Sequence, residues 1–257
     1  MSEQQQEPEV AADTGEHEKQ EGPRRRRGVY LLPNLFTTGA LFSGFYAVVA
    51  GMNGQFEAAA IAIFVAMLLD GLDGRVARMT NTQSAFGAEY DSLADMVSFG
   101  VAPALVAYNW ALVDLGKLGF FAAFVYAAGG ALRLARFNTQ IGSVDKRYFI
   151  GLPSPAAAAT VAGLVWFCYE FQASVQGLEM LVALYVALAG VLMVSNTLYY
   201  SFKDVDFRGK VPFWILALIA LAIGVISIST SLSLWLLFLA YTLSGPLLWS
   251  WRKMKHR

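Results

Sequence analysis

The sequence predicts an all-α polytopic membrane protein of about eight transmembrane helices, and three observations carry that prediction. Hydrophobic residues make up 56% of the 257 positions and charged residues 15%, where a soluble domain carries about a quarter charged. Apolar stretches long enough to cross a bilayer, about 20 residues each, recur from residue 34 to residue 251. Lysines and arginines collect on alternate connections between those stretches, as the positive-inside rule requires of a multi-pass chain.

Residues 1–27 stand apart from the rest. They hold seven acids (Glu3, Glu7, Glu9, Asp13, Glu16, Glu18, Glu21), five bases (Lys19 and Arg24 to Arg27) and no aromatic residue. Such a segment cannot bury enough apolar surface to offset its ordering entropy, so a disordered cytosolic tail is expected. Its acidic start lacks the basic region and apolar stretch of a signal peptide. The other 230 residues carry only 12 acids and 14 bases, so a net charge of zero hides a strong segregation. Nothing in the pattern points to nucleic acid.

Spans are expected at roughly 34–52, 56–78, 87–112, 118–138, 154–171, 178–200, 212–229 and 232–251. Met52-Asn53-Gly54, Gly116, Gly151-Leu152-Pro153 and Pro212 supply turn signals between them. With this arrangement 18 of the 19 lysines and arginines fall on one side, Lys117 alone on the other. Both termini are therefore expected in the cytosol. Tyr30, Trp110, Tyr199, Tyr200, Trp249 and Trp251 fall near the expected interfaces, where aromatic anchors sit.

The single cysteine, Cys168, excludes an intrachain disulfide, and both histidines, His17 and His256, lie in the polar ends. Histidine-based acid–base or zinc chemistry is thereby excluded from the body of the chain. Catalysis there must come from carboxylates, arginines, hydroxyls or a bound metal.

The carboxylates supply the candidate. At about 100° per residue, Asp70, Asp73, Gly74 and Ala77 share one face of the second helix. Gly87, Asp91 and Asp95 share a face of the third, and the polar stretch Thr80 to Ser84 joins the two as a hairpin. An ordinary salt-bridge cluster with Arg75 and Arg78 would account for two of the four acids. Four facing carboxylates repel unless protonated or bound to cations, and ionisable groups at membrane depth are costly and functional. Oxygen ligands without histidine or cysteine favour magnesium, manganese or calcium over zinc.

The neighbouring residues leave alternatives open. Gly74, Ala77 and Gly87 leave room for a flat or bulky group against the backbone, or serve close helix packing. Arg78 can meet a phosphate in bidentate fashion or snorkel to lipid phosphates. Arg133 and Arg136 lie a turn apart at the cytosolic end of the fourth helix, followed by Asn138. Either arginine can bind an anionic acceptor group or simply anchor the helix. Ser154, between two prolines, shapes a pocket or starts the fifth helix, and Lys146 and Arg147 read as solvated loop charges.

Residues 70–95 read Asp-x-x-Asp-Gly-x-x-Ala-Arg-x8-Gly-x3-Asp-x3-Asp. This spacing resembles the signature of the CDP-alcohol phosphotransferase family at every fixed position. Pro33-Asn34-Leu35-Phe36-Thr37 is similar to that family's entry into the first helix. The stretch from about Leu32 to Gly163 is most similar to the membrane-embedded bacterial and archaeal branch that uses L-serine as acceptor. Arg133-Leu134-Ala135-Arg136-Phe137-Asn138 and Phe149-Ile150-Gly151-Leu152-Pro153-Ser154-Pro155 carry that narrower likeness.

The resemblance implies a six-helix core followed by two additional C-terminal helices. The corresponding units are a tail at 1–27, a core at 28–203, and the added helices with a basic cytosolic end at 204–257. It implies transfer of the phosphatidyl group from CDP-diacylglycerol to L-serine with release of CMP, in the inner membrane, by a homodimer. Two divalent ions, Mg2+ or Mn2+, would be held by Asp70, Asp73 and Asp91, with Asp95 as ligand or general base. Asn34, Thr37, Gly74, Ala77, Arg78 and Gly87 would receive the cytidine diphosphate. Arg133, Arg136, Asn138 and Ser154 would form the serine pocket. A sister enzyme using glycerol 3-phosphate or an inositol phosphate would share the aspartate signature, and a cation transporter is the reading from another class.

Overall fold

In a bilayer a chain satisfies its backbone polar groups only as helices or closed barrels, and here helices take most of the described residues. The computed structural model describes residues 31–80, 82, 84–139, 148–201, 224 and 229–255. The tail at 1–27 and almost all of the span expected at 212–229, with its Pro212 turn, lie outside the described residues. Seven helices follow one another among the described residues: α1 (Leu31–Met52), α2 (Phe56–Met79), α3 (Ala85–Leu115), α4 (Lys117–Thr139), α5 (Ser154–Glu170), α6 (Glu179–Val194) and α7 (Thr230–Lys255). Four of them, α1, α3, α4 and α7, are long and apolar enough to cross a membrane, and α6 is a shorter apolar helix. The protein is thus an all-α polytopic membrane protein.

The helix ends follow the turn residues. Gly54 and Gly116 adopt φ of 73° and 55°, a region that admits glycine without strain. α3 is one rod with two π-helical turns, Met96–Val101 and Tyr108–Leu112. The first begins directly after Asp95, and such turns mark places where a helix is re-aimed. Tyr126 donates its hydroxyl to the Phe99 carbonyl at 3.1 Å within that turn.

Two expectations are corrected. The sixth helix does not run to residue 200: it ends at Val194, where Ser195 turns extended (ψ 160°). Ser195 Oγ lies 2.6 Å from Thr197 Oγ1, a local bond that competes with helix. Leu198–Tyr200 then forms β2, antiparallel to β1 (Tyr148–Ile150). Tyr199 is not an interface anchor either. It is fully buried, its hydroxyl donating to the Thr242 carbonyl at 3.0 Å. Pro246 has no N–H to offer that carbonyl four residues earlier, so Tyr199 fills the gap.

The bundle is built with small residues inside and large ones outside. α5 is buried on most sides through Ala156 to Ala159, Val161, Ala162 and Val165, and it separates two apolar clusters. Phe42, Phe45, Leu68, Phe120, Phe121, Leu181 and Leu184 face outward. Lipid tails are as apolar as leucine, so helix association here comes from close packing and not from burial of large side chains.

α4 and α6 approach each other closely through paired glycines. A Cβ on Gly129 would lie 2.3 Å from the Gly190 carbonyl oxygen, and one on Gly190 would lie 2.6 Å from Tyr126 Cα. Both obstacles are backbone and cannot rotate away. Gly190→Val is therefore expected to cost about 3 kcal/mol or more, read as a lowered thermal unfolding temperature in detergent. An unchanged transition would mean that α4 and α6 do not meet at this point.

Candidate active site

The site forms where α1, α2 and α3 converge. α1 packs against both α2 and α3, whereas α2 and the Ala85–Asp95 segment are not among the closely packed pairs. The carboxylates therefore meet across a cleft and not within a helix interface. Oxygen atoms of Asp70, Asp91 and Asp95 all lie within 4.8 Å of one another. Asp73 is buried, accepts a 2.7 Å bond from Thr37 Oγ1, and lies within hydrogen-bonding reach of Asp91. Thr37 stands nearly two turns into α1 and ties the first helix to the second at the depth of the acids.

Local structure at the start of α3 sets the direction of Asp91 and Asp95. Ser84 is the N-cap, its side chain accepting from Gly87 N at 3.0 Å. A Cβ on Gly87 would crowd the capping Ser84 Oγ at 3.1 Å, and Asn34 Oδ1 stands 3.6 Å away across the α1–α3 contact. Tyr90 OH and Thr38 Oγ1 lie 2.9 Å apart and close the α1–α3 flank, a contact the sequence reading did not include. Ser98 then donates to the Ala40 carbonyl at 3.0 Å beneath the site.

Gly74 decides between packing and space. A Cβ there would meet nothing within 4 Å, so this glycine serves no close helix contact and opens onto the cleft. Ala77, one turn on, is half-buried. Arg78 folds back along α2, its Nε donating to the Gly74 carbonyl at 2.8 Å, which leaves its two terminal nitrogens free of that bond. Among the described residues no ion pair joins Arg75 or Arg78 to the four aspartates, whose neighbours are one another, Thr37 and Arg133. The salt-bridge reading of the acids therefore has no support here.

The donor set fits hard divalent cations. Three carboxylates converge within a few ångströms with no sulfur or imidazole among them, the ligand chemistry of magnesium, manganese or calcium. Asp73 adds a fourth carboxylate beside Asp91.

The acceptor-side residues part company. Arg133 points inward: its Nη1 donates to Ser154 Oγ at 2.7 Å, its Nε is buried without a hydrogen-bond partner, and its charge acts on Asp95. Arg136 is instead engaged with the end of α6, donating to the Val194 carbonyl at 3.3 Å and to Asn196 Oδ1 at 2.7 Å. Asn138 pairs with Ser92, next to Asp91, through bonds of 3.1 and 3.3 Å that pin α4 to α3. The sequence offered no signal for Ser92 or Asn196, because each acts through a partner on a distant helix.

The chain is a membrane-embedded helical bundle whose carboxylates gather where α1, α2 and α3 converge. The chain belongs to the CDP-alcohol phosphatidyltransferase family, whose match covers residues 30–195. A Helicobacter pylori protein named CDP-diacylglycerol–serine O-phosphatidyltransferase is 41% identical over 214 residues, 83% of this chain and 90% of its own. A Mycobacterium tuberculosis protein of the same name is 34% identical over 231 residues, covering 87% of this chain and 80% of its own. A Bacillus subtilis protein, again of that name, is 34% identical over 172 residues, 67% of this chain and 91% of its own.

Proposed function

We propose that this protein transfers the phosphatidyl group of CDP-diacylglycerol to the hydroxyl of L-serine, forming phosphatidylserine and releasing CMP. The observation that carries the reading is the convergence of Asp70, Asp91 and Asp95 in a chain that matches serine-using relatives over most of its length. Asp70, Asp73, Asp91 and Asp95 would hold a pair of divalent ions, Mg2+ or Mn2+. When bound, such ions neutralise charge on a pyrophosphate during an in-line displacement.

The chain's own residues do the rest. Gly74 leaves the cleft open for the nucleotide, Asn34 faces Gly87 across the α1–α3 contact, and Arg78 presents two nitrogens to a phosphate. Thr37 holds Asp73 in place. Asp95 takes the proton of the serine hydroxyl as its oxygen attacks the phosphatidyl phosphorus and the bond to CMP breaks. Arg133 receives the serine carboxylate on its buried, unpartnered edge, a planar fork suited to a carboxylate. Arg136 and Asn138 hold the surrounding helices instead.

A glycerol 3-phosphate acceptor would require cations for a doubly charged phosphate. Among the described residues, Arg133 is the cation that reaches Asp95, enough for one carboxylate. A core at 28–203, which the family match at 30–195 supports, a homodimer, an inner-membrane location and cytosolic termini, the last favoured by the one-sided lysines and arginines, complete the proposal.

The two arginines test it. Arg133→Ala is expected to raise the KM for L-serine by about 10-fold or more, with the KM for CDP-diacylglycerol little changed. Arg136→Ala should lower stability and leave the serine KM within about 2-fold. Equal effects of both, or an effect of Arg136 alone, would overturn the assignment.

A further inference from the structure

A helix aims its side chains by its register, so one extra residue in a turn rotates everything beyond it by about 100°. α3 carries such a turn directly after Asp95. It is the π-helical stretch Met96–Val101, behind which the Ala102 N–H reaches back five residues to the Val97 carbonyl. The sequence supplies a cause. Pro103 has no N–H to give the Phe99 carbonyl four residues earlier, and its ring crowds that carbonyl, so the helix widens there. Tyr126 on α4, fully buried, donates its hydroxyl to the same carbonyl at 3.1 Å.

The turn is gripped from two sides. Ser98, fully buried, donates to the Ala40 carbonyl of α1 at 3.0 Å, and a Cβ on Gly44 would lie 2.6 Å from Ser98 Cα. On the other side a Cβ on Gly130 of α4 would lie 3.2 Å from Gly100 Cα. Both approaches are backbone against backbone. The Ala85–Asp95 stretch before the turn is held far less. Ala94 is its one buried residue. Among the described residues α1 is the helix it packs closely against, and the Ser92–Asn138 pair ties it to α4. This stretch carries Asp91 and Asp95, so their direction comes from the turn and not from a core of their own.

We propose that the π-helical turn aims Asp91 and Asp95 into the cleft, and that Tyr126 is the positioning residue that keeps the turn formed. The inference rests on the reading of the four aspartates as holders of divalent ions. Tyr126 touches no reacting atom; it acts through the Phe99 carbonyl, one turn beyond Asp95. A helix closed to regular α geometry at this point would swing the two carboxylates about 100° around its axis, away from Asp70 and Asp73.

The test measures binding of Mn2+ alone to the purified full chain in detergent, from the electron paramagnetic resonance signal of the free ion, beside thermal unfolding with a chelator present. Tyr126→Phe removes the hydroxyl donor from a buried carbonyl, so it should unfold earlier than the parent chain and bind Mn2+ about 10-fold more weakly. Adding Pro103→Ala to that variant returns an N–H to the Phe99 carbonyl and lets the helix close to α geometry. The double variant should recover the parent's unfolding temperature while its Mn2+ binding stays about 10-fold weak or weaker. It decides the matter if the single variant is not recovered folded. Mn2+ binding that recovers together with stability would make Tyr126 a packing residue and overturn the proposal, as would parent-like Mn2+ binding in both variants. If Asp91→Asn weakens Mn2+ binding while neither Tyr126 variant does, this inference alone fails. If the parent chain binds no Mn2+, the reading of the aspartates fails and takes this one with it.

Discussion

Asp91→Asn is expected to lower CMP release by at least about 10³-fold at saturating substrates, the scale on which loss of one charge-stabilising group acts at a reacting centre. Asparagine keeps the shape of the side chain and removes the negative charge from the middle of the set. Asp91 belongs to the convergent trio with Asp70 and Asp95 and also neighbours Asp73, so it joins both halves of the centre. Thermal unfolding supplies the signed control. Carboxylates this close repel one another when no cation is bound, so the variant with a chelator present should unfold no earlier than the parent chain. Added manganese or magnesium should stabilise the parent, by the ordinary linkage of binding to folding, and stabilise the variant little. Full activity in Asp91→Asn, or undiminished stabilisation by metal, would remove Asp91 from the centre.

Asp95→Asn should separate catalysis from binding. A positioned general base contributes about 10²- to 10⁴-fold, and turnover is expected to fall by that much while CDP-diacylglycerol binding is largely retained. Two features set Asp95 apart from the other acids. It closes the first α-helical stretch of α3, immediately before the first π-helical turn, and it is the carboxylate on which the Arg133 charge acts. An acceptor whose carboxylate rests on Arg133 would bring its hydroxyl beside Asp95. Binding measured with a labelled CDP-lipid, alongside CMP release, checks the split. Loss of lipid binding in parallel with turnover would make Asp95 chiefly a metal ligand.

Helical periodicity made the aspartates legible. Spacings of three and four place Asp70 with Asp73, and Asp91 with Asp95, on single faces whatever surrounds them, and the structure gathers those faces around one cleft. The first five helices were legible from the length of their apolar stretches, bounded by Gly54, Gly116 and the Gly151 turn. What required the third dimension was pairing. Leu198-Tyr199-Tyr200 continues the apolar run of α6, and only the partner strand at Tyr148–Ile150 makes it β2. Arg133 and Arg136 are three residues apart in one helix, and which one faces the acids depends on Ser154 from α5 and Asn196 beyond α6. Tyr199 reads as an interfacial aromatic until Pro246 leaves a carbonyl for it to satisfy.

The most direct test of the central claim is CMP release by the purified protein in detergent with CDP-diacylglycerol, with and without manganese or magnesium, comparing L-serine with glycerol 3-phosphate. Release that requires both a divalent ion and L-serine is the predicted result. Release with glycerol 3-phosphate in place of L-serine would contradict the acceptor assignment, and release that persists without a divalent ion would contradict the role given to the four aspartates.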